Sequence, residues 1–126
     1  MFIHVDPSNG LAIYDQIVRQ VKFAVAAGAL VPGELAPSVR EMARDLAVNP
    51  NTVARAYRQL QTDAVLAPVR GTGLAVADGA PQRCREQRVQ LIGERLRHVL
   101  AEATQSGLTS SQIRSLIDTE LTADHV

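Results

Sequence analysis

Apolar and polar positions repeat with a helical period through most of this chain. After a short extended start, FIHVDP, the residues Ile13, Ile17, Val21 and Ala24 form a stripe with Tyr14, Val18 and Val25 beside it. This pattern predicts a first helix that ends at Gly28, a residue suited to a left-handed stop. The breaker-rich ALVPGELAP that follows reads as a loop. Ser38 and Glu41 of SVRE have the spacing of a capping box, and Val39, Met42, Ala43 and Leu46 continue a short helix behind them. A tight AVNP turn leads to the next stripe, Val53, Ala56, Tyr57 and Leu60, in a helix from about Pro50 to Gln61 or Asp63. Asn49 can cap its free N–H groups, and Pro50 suits its first turn.

Two short β-prone runs come next, VLAPV and LAV, separated by RGTG, in which Gly71 and Gly73 supply a hairpin turn. Asp78, Gly79, Ala80 and Pro81 mark a boundary. Beyond it, Val89, Ile92, Leu96, Val99, Leu100 and Ala103 define a helix of five to six turns stopped by Gly107. Thr109 and Gln112 form a second capping box, and Ile113, Leu116, Ile117 and Leu121 give a last amphipathic helix.

Two helices joined by so tight a turn make a helix-turn-helix unit, whose second helix enters the DNA major groove. Adding the first helix and the hairpin gives a winged helix over residues 1–78, followed by a helical segment over 79–126. The expected fold class is therefore mainly α with a small β-hairpin. The two tail helices cannot bury both stripes against each other and stand alone, so they need a partner surface. A second copy of the chain is the economical choice, with Val89, Ile92, Leu96, Val99, Leu100, Ile113, Leu116 and Ile117 as its contacts. Packing onto the first domain is the alternative.

A length of 126 residues fits one compact domain with a small extension. The formal net charge is zero, so affinity for nucleic acid must come from the placement of charge. Placement is informative on the second helix of the helix-turn-helix. At 100 degrees per residue, Asn51, Arg55, Arg58 and Thr62 lie opposite the apolar stripe, with Thr52 and Gln59 on its flank. Each carries a hydrogen-bond donor, and no carboxylate occurs from Leu46 to Thr62. Such a face suits a polyanion; the other reading is a solvated surface that lacks acids. Lys22 is the single lysine and every other basic residue is arginine, the side chain that makes forked contacts with phosphates and guanine edges.

Other chemistries find little support. Cys84 stands alone, which excludes a disulfide framework and a cysteine zinc site. The glycines of RGTG lack the rest of a dinucleotide fingerprint or P-loop. His4, His98 and His125 are scattered over different elements, with no nucleophile and base at familiar spacing, so neither an enzyme site nor a cofactor is expected. No apolar run is long enough to span a membrane and no leader is present, which points to a soluble cytosolic protein.

The run PGELAPSVREMARDLAVNPNTVARAYRQLQTDAVLAPVRGTGLAV resembles the DNA-binding domain of the GntR family of bacterial transcription regulators. The start VDPSNGLAIYDQIVRQVKFAVAAGAL is similar to the way those domains begin, and VNPNTVARAY with a short two-helix tail resembles the YtrA-like branch. The resemblance implies a dimer that binds an inverted repeat in double-stranded DNA, usually as a repressor and often beside genes for an ABC transporter. By position it implies DNA contacts from Arg40, Asn49, Asn51, Thr52, Arg70, Gly71 and Thr72, with Arg44 and Arg58 as weaker phosphate contacts. Arg55 follows from the helix face as well. Ala36, Ala64 and Ala75 depart from the family pattern of Leu, Gly and Phe. A positive φ at Ala64 would cost roughly 1 kcal/mol relative to Gly, and the other two thin the core around the wing.

In such a complex, Arg40, Arg55 and the helix N-termini hold phosphates and set the register. Asn51, and Asn49 beside it, can offer a paired donor and acceptor to an adenine edge, and Thr52 can meet a thymine methyl. Arg70 would enter the minor groove or clasp the backbone. Arg83 to Val126 is too short to enclose an effector within one chain, which leaves a site between subunits as the hypothesis for small-molecule control. The rival function is a protein-interaction module that uses the winged helix as a scaffold, and structured RNA is a further alternative ligand.

Overall fold

Three helix starts are fixed by the side chains whose spacing marks them for it. Ser38 Oγ accepts the Glu41 N–H at 3.1 Å while the Glu41 carboxylate accepts the Ser38 N–H at 3.3 Å. Thr109 and Gln112 exchange the same pair of bonds at 3.2 and 2.9 Å. Asn49 Oδ1 accepts the Asn51 N–H at 2.8 Å, and Pro50 occupies the first turn behind it. Each bond satisfies a backbone donor that the helix cannot satisfy itself.

The computed structural model describes residues 3–123, so Phe2 of the extended start and His125 lie outside the described residues. The order is α1 (Ile13–Ala26), α2 (Val39–Leu46), α3 (Pro50–Thr62), β1 (Leu66–Val69), β2 (Gly73–Val76), α4 (Ala80–Gln105) and α5 (Ser110–Thr122). The chain is mainly helical, with a two-stranded antiparallel hairpin in which Leu66 faces Val76 and Val69 faces Gly73. It divides into two compact units, Met1–Arg88 and Val89–Val126.

The first unit is built around the stripes read from the sequence. Ile17, Val21 and Val25 of α1 meet Val53, Ala56 and Leu60 of α3, all fully enclosed, with Met42 and Ala43 of α2 closing one side. Val65, Leu66 and Val76 bring the base of the hairpin into the same core. Burying each larger side chain contributes about 1.5–3 kcal/mol, which helices this short need in order to persist. At the edge of this core lies a partly buried ion pair, Lys22 Nζ to Asp63 Oδ2 at 2.7 Å, which joins α1 to the residue that caps the end of α3.

Several boundaries differ from expectation. The long helix α4 starts at Ala80, not near Val89. Pro81 sits in its first turn, where a missing N–H is harmless, and Ala80 and Cys84 anchor that end in the first core. The run from Pro81 to Arg88 carries no broad apolar stripe, so its helicity is not visible from periodicity. The turn between α2 and α3 shortens to Ala47, Val48 and Asn49 because Pro50 is already helical, and Ala47 closes α2 in a left-handed conformation at φ 55°. Residues 33–36, expected as loop, run along β2: the Ala36 N–H donates to the Leu74 carbonyl at 2.8 Å and the Val76 N–H to the Glu34 carbonyl at 2.9 Å. A bridge between Leu35 and Ala75 makes this a short third edge to the wing. Pro32, Gly33 and Pro37 hide it from the sequence pattern.

In the second unit, the later turns of α4 carry Val89, Ile92, Leu96 and Val99 as an exposed apolar row, and α5 exposes Leu116, Ile117 and Leu121. Leu100 and Ile113 are half-buried, and no described residue of this unit is fully enclosed.

Candidate nucleic-acid interface

The buried and exposed faces of α3 separate as its periodicity requires. Val53, Ala56, Tyr57 and Leu60 are buried, whereas Asn51, Arg55, Arg58, Gln59 and Thr62 are exposed and Thr52 is half-buried. The buried face is pinned by more than apolar contact. Tyr57 donates its hydroxyl to the Pro37 carbonyl at 2.7 Å, which fixes α3 to the segment entering α2. Burial, with Glu41 nearby, pushes the Tyr57 phenol up to about 12, so it remains a donor at any ordinary pH.

Asn51 has its side chain at the N-terminus of α3, next to the capping residue. Asn49 has one atom already engaged, because its Oδ1 holds the Asn51 N–H. One of the two acceptor lone pairs of Asn49 Oδ1 is thus spent on the cap, and its amide N–H groups and second lone pair remain. Arg40 is exposed in the first turn of α2. Arg44 lies 3.8 Å from Asp45 with both side chains well exposed, a pairing too loose to hold it.

Arg55 is placed differently from a free surface arginine. Its guanidinium carbon lies 3.7 Å from the centroid of the Tyr14 ring in the first turn of α1. Sequence reading assigns Tyr14 to the core stripe, and nothing in the spacing of α1 links it to α3. Among the described residues, no carboxylate pairs with Arg55: Asp15 is taken by Arg19 at 3.2 Å and Asp63 by Lys22.

The hairpin tip carries Arg70, Gly71 and Thr72, all exposed. Gly71 at φ 73° and Gly73 at φ 121° make the turn, and the Thr72 hydroxyl donates to the Arg70 carbonyl at 3.2 Å. Between the wing base and the start of α2 lies an open cleft of about 570 Å³ lined in part by Ala36, Val39, Tyr57 and Leu74. Ala64, at the end of α3, has φ 58°, the strained conformation its position suggested, and Arg83 of α4 donates to its carbonyl.

A helix-turn-helix with an enclosed core, an acid-free outer face on its second helix and an arginine-tipped wing defines the class of winged-helix transcription regulators that bind DNA. Residues 13–76 match the model of the bacterial regulatory proteins, gntR family, and the chain belongs to that family. It is 33% identical over 122 residues to the HTH-type transcriptional repressor YtrA of Bacillus subtilis (strain 168), covering 97% of this chain and 93% of that one. A GntR family transcriptional regulator from Listeria monocytogenes superposes with a TM-score of 0.68 at 30% identity, over 89% of this chain and 97% of that one. YtrA from Sulfolobus acidocaldarius, a GntR-family transcription factor, does so with a TM-score of 0.58 at 27% identity, over 98% and 100%. The likeness to YtrA proteins thus extends through the two-helix tail. These relatives are regulators of transcription, not enzymes. Among the described residues no helix is long and apolar enough to cross a membrane.

Proposed function

We propose that this DNA-binding regulator acts in the cytoplasm as a homodimeric repressor that occupies an inverted-repeat operator, and that a transporter operon is among its targets. The observation that carries the reading is the outer face of α3, a helix whose own residues include no carboxylate; Asp63 at its C-terminal end takes Gln59 at 3.1 Å and leaves Asn51, Arg55 and Arg58 without an acidic partner among the described residues. In this reading α3 lies in the major groove. Asn51 reads an adenine edge, and Thr52 meets a thymine methyl. Arg40, Arg55, the α2 and α3 N-termini and, more weakly, Arg44 and Arg58 hold phosphates. Arg70, Gly71 and Thr72 bring the wing to the flanking groove. The exposed rows on α4 and α5 support the homodimer, because apolar area on that scale needs a cover. A twofold pair would place half-sites about 10 base pairs apart, centre to centre.

Selection of bound duplexes from a random pool tests this directly. The expected product is a palindrome whose affinity falls with salt by several units of log-log slope. Asn51→Ala should change the preferred base at one position of each half-site, and Arg55→Ala should weaken all sequences evenly. Failure of a folded dimer to enrich any duplex would favour a scaffold role for the domain.

A further inference from the structure

Arg55 has a planar cation on an exposed helix face, and ordinarily such a side chain samples many rotamers. Here it is laid on an aromatic ring from another helix, at 3.7 Å from the centroid, with no described carboxylate to neutralise it. A ring stacked on one face of a guanidinium leaves the N–H edges in the plane free, so the fork keeps its hydrogen-bonding capacity while losing its mobility. Tyr14 is half-buried and packs against the core, which fixes the platform. An acid in its place would hold the arginine as well but cancel the charge that a phosphate needs.

We propose that Tyr14 is a positioning residue for DNA binding: it holds the Arg55 guanidinium, charged and unpaired, in the orientation that grips a phosphate. The proposal rests on the reading of Arg55 as a phosphate contact and adds a residue outside the helix-turn-helix to the binding machinery. It also gives α1 a second task beyond core packing, since α1 becomes the support for one contact of α3.

The test uses the full chain and a duplex enriched from a random pool by the wild type, with affinity measured across a salt series. Tyr14→Phe keeps the ring face and should bind as the wild type does. Tyr14→Leu keeps an apolar side chain but removes the ring, and should weaken binding about fivefold. Because the charge remains, its salt slope should not change, whereas Arg55→Ala should reduce the slope by about 0.9 per contact removed. In the Arg55→Ala background, Tyr14→Leu should have no further effect. An equal loss in that background would show Tyr14 acting only through packing and would overturn the proposal, as would wild-type affinity in Tyr14→Leu. No effect of Arg55→Ala on affinity or slope would instead remove the underlying phosphate assignment. A variant-free measurement covers the case in which Tyr14→Leu does not fold. Proton resonances of the Arg55 side chain should be shifted upfield by the ring in both free and DNA-bound protein, and loss of that shift on binding would overturn the proposal.

Discussion

The two units carry similar apolar stripes and put them to opposite use. In Met1–Arg88, Leu60 of α3 is 0% exposed and every neighbouring stripe position is enclosed; in Val89–Val126, Leu96 of α4 is 47% exposed and its row stays open. Both stripes have helical spacing, and the spacing alone does not distinguish them. What distinguishes them is the number of surfaces available within the chain: α1, α2 and the hairpin close over α3, whereas the tail supplies only two helix faces. An amphipathic stripe therefore states a requirement for burial, and the chain length around it decides whether another molecule must meet that requirement.

The sharpest way to break this comparison is to truncate one residue from each stripe. Leu60→Ala should cost about 2–5 kcal/mol in denaturant unfolding followed by circular dichroism, because its cavity is fully enclosed. Leu96→Ala should leave unfolding of the first unit unchanged. The paired change Ile92→Glu with Leu96→Glu should instead lower the mass seen in sedimentation toward that of a monomer. Equal destabilisation by Leu60→Ala and Leu96→Ala would mean that the tail's row is already covered within one chain.

A second measurement concerns the polar part of the first core. Asp63→Ala leaves the Lys22 ammonium enclosed without its partner and should cost about 2–3 kcal/mol, discounted for the partial exposure of Asp63. Adding Lys22→Met should restore much of that loss, since the unpaired charge is then gone. Restoration is the outcome that distinguishes a desolvated pair from a merely decorative one.

Tyr57→Phe removes the bond to the Pro37 carbonyl and should cost about 1 kcal/mol. It should also change the response to alkali. The folded phenol is raised from 10.0 to about 12, so the unfolded chain gives up its proton first and stability falls as pH rises from about 10 toward 12. Below 10 the contribution is complete. Urea midpoints measured through this range should decline more steeply for the wild type than for Tyr57→Phe.

The smallest expected effect is a gain. Ala64→Gly relieves the left-handed strain at φ 58° and should add about 0.5–1 kcal/mol to unfolding of the first unit. Ala47, at φ 55°, invites the same exchange.

Much of the fold is legible because its signals are local. Ser38 with Glu41, Asn49 with Pro50 and Thr109 with Gln112 announce helix starts within four residues, and Gly71 with Gly73 announces the wing turn. The edge at residues 33–36 is not legible, because it is held by backbone bonds to β2 and its prolines argue against a strand. The early start of α4 is hidden for another reason: only Ala80 and Cys84 face the core there, and two small residues make no stripe. At the interface, the donor-rich face of α3 follows from angle alone. The Tyr14 platform and the Lys22–Asp63 pair join residues 41 positions apart, and no single-chain pattern connects them. The Asn49 cap lies between these cases, since the residue type announces the cap but not which backbone N–H its Oδ1 takes.

The bonds around Pro37 have a consequence for the timing of association. Tyr57 ties α3 to Pro37, and the neighbouring Ala36 N–H ties the same segment to Leu74 at the wing base, at 2.7 and 2.8 Å. Helix and wing are thus linked through one short stretch of backbone before any DNA arrives. Encounter with a duplex should then proceed without a slow ordering step, at a rate set by diffusion and electrostatic attraction. Stopped-flow mixing should show single-phase association that accelerates linearly with DNA concentration and slows as salt is added; a plateau at high DNA concentration would reveal a rearrangement that this brace does not prevent.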